Sequence, residues 1–389
     1  MKKTTIVLLL AVFFAAFPSF AAVDFELSVN ANAMGNALED SSETIDYTAV
    51  FRAAANYYPL AQAQFRAAVD YTDYSDFDGL SNLKSNLGFT WIPTSQESKT
   101  RFFVSGNFSG AVFKDEFRNF SSKNDFDIIA SASRMISSSS QVRLGLKQVY
   151  NVYTNSPVDD RTTTEFFVGY YRNLAEHLSL DVEAGIATGN YQYYDRAVDS
   201  GAVFTDPEDS QRPFYWTKML NDGDNTFYYV SPRISGQINS KTGFSITYQY
   251  RTMDEQDGDP VIFGYSTGLL SPWTDIYDGH AIIASVKTYM LPRMIVTLGG
   301  GYWERNHLQT LDYIGGPFLS TVGGENNRGG IVDREDERSR IYLEIIRPFS
   351  LWDIQLEPKL RVEHVTNISN APVYDYSHET ASFGIKASF

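Results

Sequence analysis

From Ala381 to Phe389 the chain reads Ala-Ser-Phe-Gly-Ile-Lys-Ala-Ser-Phe. Ala381, Phe383, Ile385, Ala387 and Phe389 are apolar, and the residues between them are small or polar. A strict period of two admits one local structure, a strand with one oily face and one wet face. The same period recurs along the chain. Phe25, Leu27, Val29, Ala31 and Ala33 alternate with Glu26, Ser28, Asn30 and Asn32. Leu178 to Ile186, Phe244 to Tyr250 and Trp352 to Val362 repeat it. Alternation alone leaves open which face points out, because a water-soluble barrel would turn its oily face inward.

The start of the chain narrows the choice. Lys2 and Lys3, the apolar run Ile6 to Phe17 and the small residues of Ser19-Phe20-Ala21 have the order of a secretory signal peptide. Residues 1–21 are therefore read as the signal and 22–389 as the exported domain. There is no Cys, so neither a lipid-anchored Cys nor a disulfide is available. No apolar run near ~18 residues follows the signal, which excludes a helical membrane protein. Yet Tyr and Phe number 25 and 27 while mean hydropathy is slightly negative. That pairing suits a transmembrane barrel, whose lumen-facing residues dilute the apolar signal; a secreted β-sandwich or β-helix fits composition equally. The formal charge is −15, and removing Lys2 and Lys3 takes it two units lower. So acidic a chain is no partner for nucleic acid.

The connections decide between these folds. Period-two reading gives about sixteen strands. Short turns are expected near Pro59, at Pro93–Ser98, Ser137–Ser140, Asn173–Glu176, Asn239–Lys241, Leu291–Pro292 and Pro348–Ser350. Longer loops alternate with them, the longest at about 192–224, 253–277 and 306–336. Short turns on one side and long loops on the other define an antiparallel up-and-down transmembrane barrel with both termini periplasmic. Tyr57, Tyr58, Trp91, Tyr289, Phe349 and Trp352 sit beside the short turns, where an interfacial girdle belongs. Pro358 interrupts a clean strand, and a bulge or local break is expected there.

Strand phase then sorts the charges. Arg52, Arg66, Arg101, Arg143, Lys147, Arg233, Arg251, Lys287, Arg361 and Lys386 share a face with Glu26, Asp70, Asp127, Glu165, Asp181, Glu183, Glu357 and Glu363. A barrel of this width keeps an aqueous lumen unless loops plug it. The charges form either a pore wall that orients hydrated solutes or cross-strand ion pairs that only solvate the wall. Phe103, Phe167, Tyr171, Phe227 and Tyr229 fall in the same phase. They can stack on sugar rings or pack against loops. The acidic clusters Asp206-Glu208-Asp209, with Asp222 and Asp224, and Asp254-Glu255-Asp257-Asp259 fall in loops. The second lacks the helical flanks and distal Glu of a calcium hand and is read as a solvated tip; bridging cations to lipopolysaccharide is the other reading.

The closing strand, ending on an aromatic carboxy terminus, resembles the last strand of bacterial outer-membrane β-barrels. The resemblance implies that Phe389 serves the barrel-assembly machinery. Residues 366–389 are similar to the ends of stand-alone porin-type barrels and, more weakly, to barrels that export exopolysaccharide. In the general trimeric porins the third loop is long, whereas here the third candidate, around Glu116–Asn124, is short. These resemblances imply a passive outer-membrane channel for small hydrophilic solutes. The alternatives are an export barrel for a polymer such as exopolysaccharide and a surface-binding barrel with a plugged lumen. Lipid, lipopolysaccharide and a second copy of the chain are the expected partners. No cofactor, metal or catalytic group is expected. The five His residues, His177, His280, His307, His364 and His378, have no Ser at a spacing that compels a triad.

Overall fold

A computed structural model describes residues 23–35, 45–95, 97–114, 123–153, 161–195, 220–254, 260–263, 277–312, 330–352, 354–370 and 374–389. The expected signal peptide, the Asp206–Asp209 cluster and residues 255–259 lie outside them, as does most of 116–124.

The strands are β1 Val23–Met34, β2 Asp46–Leu60, β3 Ala63–Tyr74, β4 Asn82–Trp91, β5 Thr100–Phe113 and β6 Lys123–Ser137. They continue as β7 Ser140–Tyr153, β8 Arg161–Ala175, β9 Leu178–Asp195, β10 Leu220–Asn239, β11 Thr242–Met253 and β12 Pro260–Phe263. The last six are β13 Tyr277–Leu291, β14 Met294–Asp312, β15 Gly330–Ile346, β16 Phe349–Leu351, β17 Ile354–Ser369 and β18 Tyr376–Ser388. All belong to one sheet, and pairing of β1 with β18 closes it. The short strand β12 stands apart from the wall and β16 continues β15 along β17 in the same register, which leaves sixteen antiparallel wall strands. Closure removes both free edges, so the wall presents no unpaired row to another chain.

Seven connections join strands at one end, at each position expected from sequence; six are two-residue turns and one, 92–99, is longer, while every connection at the other end has at least six residues. Five of the six register shifts lie beside short turns, where one extra residue lets a tight connection close. Among the described residues Pro358 makes no bulge: β17 keeps its register with β18 straight through Pro358↔Ile385. The break falls in its partner. β15 ends at Ile346, β16 begins at Phe349, and Arg347 N donates to Pro358 O at 3.1 Å. The missing Pro N–H therefore faces an interruption and costs the β18 ladder nothing.

Period two puts large apolar side chains on one face: Leu27, Val29, Phe51, Phe65, Leu87, Phe108, Leu144, Phe166, Ile246, Leu298, Ile341 and Phe383 are all exposed there. The other face carries the charges and is the concave one. Its side chains reach past an intervening strand, from Arg143 on β7 to Glu183 on β9 and from Tyr229 on β10 to Glu165 on β8. Only the inside of a curved wall brings alternate strands that close. The apolar face is thus outermost, the inverse of a water-soluble barrel.

Two expected loops prove partly to be strand. β14 runs to Asp312 and β15 starts at Gly330, inside the expected 306–336 loop, and β9 and β10 extend into 192–224. In these extensions the period of two disappears from the sequence. Within 253–277, β12 pairs with Asp195 and Tyr194 of β9 and with Thr310 and Leu311 of β14. In the wall β10, β11 and β13 separate β9 from β14, a distance of roughly 19 Å. A single bridging strand spans about half of that. The two extensions therefore leave the cylinder and converge at the long-loop end.

Candidate functional site: the charged inner wall

Each of the eighteen charged residues singled out from sequence lies in a wall strand. Arg52 meets Asp70 at 3.2 Å, and Arg66 meets Glu26 at 3.7 Å. Lys386 reaches the other oxygen of Glu26 at 3.3 Å and stands opposite Glu357. Arg143 pairs with Glu183 and lies 5.5 Å from the centre of the Phe167 ring. Lys147 stands opposite Glu165, and Arg233 opposite Asp181 with its Nε donating to Ser245 at 3.1 Å. Arg251 covers the Phe227 ring at 3.9 Å. Arg101 and Lys287 are exposed, opposite Ser133 and Thr297. Arg361 donates to Glu344 at 3.2 Å and to Glu363 at 2.6 Å.

That last pair opens onto a network the sequence did not disclose. Arg340 on β15 also donates to Glu363, at 2.8 Å, and Lys359 reaches Glu344 at 2.6 Å. Tyr342 lies beneath Arg361 at 4.1 Å. Higher on β15, buried Arg334 grips Asp336 through Nε at 3.0 Å and packs over Tyr374 at 3.4 Å. His307, expected in a loop, is on β14 with its ring 3.2 Å from the same carboxylate. In the first half of β15 every residue from Asp333 to Arg338 is charged, so no alternation marked it as strand.

A recurrent device holds the inner rings flat. Gly145, Gly185 and Gly299 stand directly opposite Phe167, Tyr229 and Tyr342. A Cβ on Gly185 would lie 2.6 Å from the Tyr229 ring, and one on Gly299 would lie 2.6 Å from that of Tyr342. The missing side chain lets each ring lie along the wall instead of projecting into the lumen. Once flat, Phe167 and Tyr342 offer a face to guanidinium groups. Of the inner aromatics noted in sequence, Phe167 and Phe227 brace cations, Phe227 being almost wholly buried, while Tyr229 donates to Glu165 and Tyr171 to Asn173.

Of the girdle residues, Tyr57, Trp91, Tyr289, Phe349 and Trp352 are exposed beside the short turns. Tyr58 is equally exposed but bonds inward to Gln64 at 3.3 Å. Phe389 closes the seam: its N–H donates to Phe25 O at 3.0 Å. Among the described residues no group of three His, Asp or Glu is placed to hold a metal ion.

No family model and no curated protein matches the chain. Solved outer-membrane barrels resemble it in fold at low identity. OprB of Pseudomonas putida is 10% identical, with 95% of this chain and 94% of that one covered and a TM-score of 0.48. OpdK, an outer membrane protein of Pseudomonas aeruginosa, is 8% identical, with 95% and 100% covered and a TM-score of 0.48. A bacterial polysaccharide outer membrane secretin is 12% identical, with 94% and 97% covered and a TM-score of 0.45.

Proposed function

We propose that the chain is a passive, water-filled channel for small hydrophilic solutes across a bacterial outer membrane. One observation carries this reading: a closed sixteen-strand wall with its apolar face outermost and a charged face around the lumen. An apolar exterior is at home only against lipid, and a wall of this circumference encloses water. The short turns and termini then lie in the periplasm and the converging extensions outside the cell. Lipid, lipopolysaccharide, the assembly machinery and further copies of the chain are its partners. No chemical step is assigned, and transport follows from size exclusion and the field of the inner charges. A polymer exporter would need open aromatic faces for sugar rings to slide over. Phe227, Tyr342 and Tyr374 are instead capped by guanidinium groups.

Single-channel conductance of the refolded barrel in a planar bilayer tests the proposal, alongside a variant lacking residues 194–222. Steady open steps in the native protein are expected. A native barrel that stays shut and opens only in the variant would replace the channel with a plugged or gated barrel.

A further inference from the structure

A group of another kind lies on the outer face of the wall. On β17 the outward side chains run Leu360, Val362, His364, Thr366 and Ile368. His364 and Thr366 are two residues apart on a strand and share that face. The Thr366 hydroxyl lies 3.1 Å from Nε2 of the His364 ring. At the other nitrogen, Nδ1 lies 3.6 Å from Oε1 of Glu379, which stands directly opposite on β18. A hydroxyl, an imidazole and a carboxylate thus follow one another, each within reach of the next. With its proton on Nδ1, the ring is oriented by Glu379 and leaves Nε2 to accept from Thr366. Sequence did not reveal this group, because the hydroxyl belongs to Thr and Glu379 joins it only through register.

Its depth on the wall is also defined. Three successive rows cross β15, β17 and β18 here. Leu343, Val362 and Ala381 make an apolar row, and Ile341, His364 and Glu379 a mixed one. Ser339, Thr366 and Ser377 make a polar row on the long-loop side. The apolar face gives way at the level of the group, as a bilayer does where acyl chains meet their ester groups. Ser339 and Ser377 flank half-buried Thr366, and such cross-strand neighbours stand about 5 Å apart at Cβ. Their hydroxyls are placed to donate to an oxyanion held over Thr366.

We propose that His364, Thr366 and Glu379 form a lipid-facing esterase centre that hydrolyses acyl esters of lipids in the leaflet at the long-loop end. The proposal rests on the outer face meeting lipid and is independent of whether the lumen conducts. Thr366 Oγ1 bonds to the acyl carbonyl carbon while its proton passes to His364 Nε2. The ester C–O bond breaks, and that proton goes to the departing alcohol oxygen of the lysolipid. Water then attacks the acyl-Thr366 ester and gives a proton to Nε2. Thr366 leaves with that proton, and the fatty acid is released. Glu379 touches neither substrate nor nucleophile and acts as a positioning residue for the ring.

The test uses the refolded full barrel in phospholipid vesicles. The substrates are a phospholipid whose fluorophore is dequenched on hydrolysis and p-nitrophenyl butyrate as a soluble ester. The native protein should hydrolyse both. Thr366→Val should abolish turnover, and Thr366→Ser should retain it. His364→Gln should lower turnover by ~100-fold or more. Glu379→Gln should lower it less and move the rise of its pH profile to lower pH, because a ring without its carboxylate gives up its proton more readily. All these side chains face outward, so the variants should keep heat-modifiable migration. No turnover by the native protein, or turnover that survives Thr366→Val or His364→Gln, overturns the centre. A barrel that floats with the vesicles but cleaves only the soluble ester overturns lipid as its substrate. One that does not float overturns the lipid-facing reading on which the proposal rests.

Discussion

The closing seam and the sector from β7 to β13 obey the same period of two and share the same apolar exterior, yet their inner faces differ. At the seam, Glu26 sits between Arg66 and Lys386, and Arg52 faces Asp70. Each of these cations has an acidic partner within reach, so the field there cancels locally. In the sector, Arg143 leans on Phe167, whose ring lies flat opposite Gly145, and Arg251 leans on Phe227, which stands opposite Ala187. The seam has a counterpart of that device, in which polar Asn30 instead of an aromatic ring stands opposite Gly384. One backbone code thus supports a wall of cross-strand ion pairs and a wall on which guanidinium groups also lean on aromatic rings.

The largest expected effect concerns the seam as the last part of the wall to close. Deleting Phe389 removes the final ladder bond to Phe25 and the exposed terminal ring, and changing it to Lys removes the ring alone. Heat-modifiable barrel in the outer membrane should fall severalfold. Normal assembly of that variant would mean that closure does not depend on the terminal residue. Next come the exteriors, which the comparison takes to be equivalent. Ile246→Arg in the sector and Val29→Arg at the seam should each cost roughly 2–4 kcal/mol in refolding titrations into lipid. If only one is costly, the apolar band is not continuous around the barrel.

A smaller effect separates the glycines. Gly185→Ala places a Cβ 2.6 Å from the Tyr229 ring and 2.7 Å from the Phe166 carbonyl oxygen. Overpacking of this kind costs about 1–3 kcal/mol, and displacing Tyr229 should also loosen its bond to Glu165. At Gly88, on β4, the nearest atom would be 3.6 Å away, so Gly88→Ala should stay within ~0.5 kcal/mol. Denaturation midpoints of the two variants give the comparison directly. Equal costs would show that the flat ring is not what these glycines provide.

Most of the fold can be read in the residues because wherever a strand crosses the apolar band its two faces differ chemically. Leu178 to Ile186 shows this, and so does Ala381 to Phe389. The code fails elsewhere. Asn306-His307 and the wholly charged run Asp333 to Arg338 show no alternation and read as loop, which hid Arg334, Asp336 and the true place of His307. Pairing is lost for a different reason. Glu26 and Lys386 lie at opposite ends of the sequence, and nothing local to either states that β1 meets β18. The Gly–aromatic pairs share this limit, since Gly185 and Tyr229 are brought together only by register. Face could be read from the residues; partner could not.

The smallest expected effect is the one that best probes whether the two inner faces differ in function. Glu26 is partly exposed and holds Arg66 at 3.7 Å and Lys386 at 3.3 Å. Exposed pairs of this sort contribute about 0–1 kcal/mol each, so Glu26→Gln should leave the denaturation midpoint almost unchanged. Its electrical consequence is separable from its stability, because the change strips one negative charge and leaves two cations without it. Those cations lie in a wide wet lumen where the Debye length is ~8 Å at physiological salt. The reversal potential in a salt gradient should therefore move slightly toward anions at low salt and not at high salt. Neutralising Arg251, held against Phe227 on the inner face of the sector, should shift it the other way and by more. Shifts of equal size would show that solutes sample the seam as closely as the sector, and that the uneven wall does not steer them.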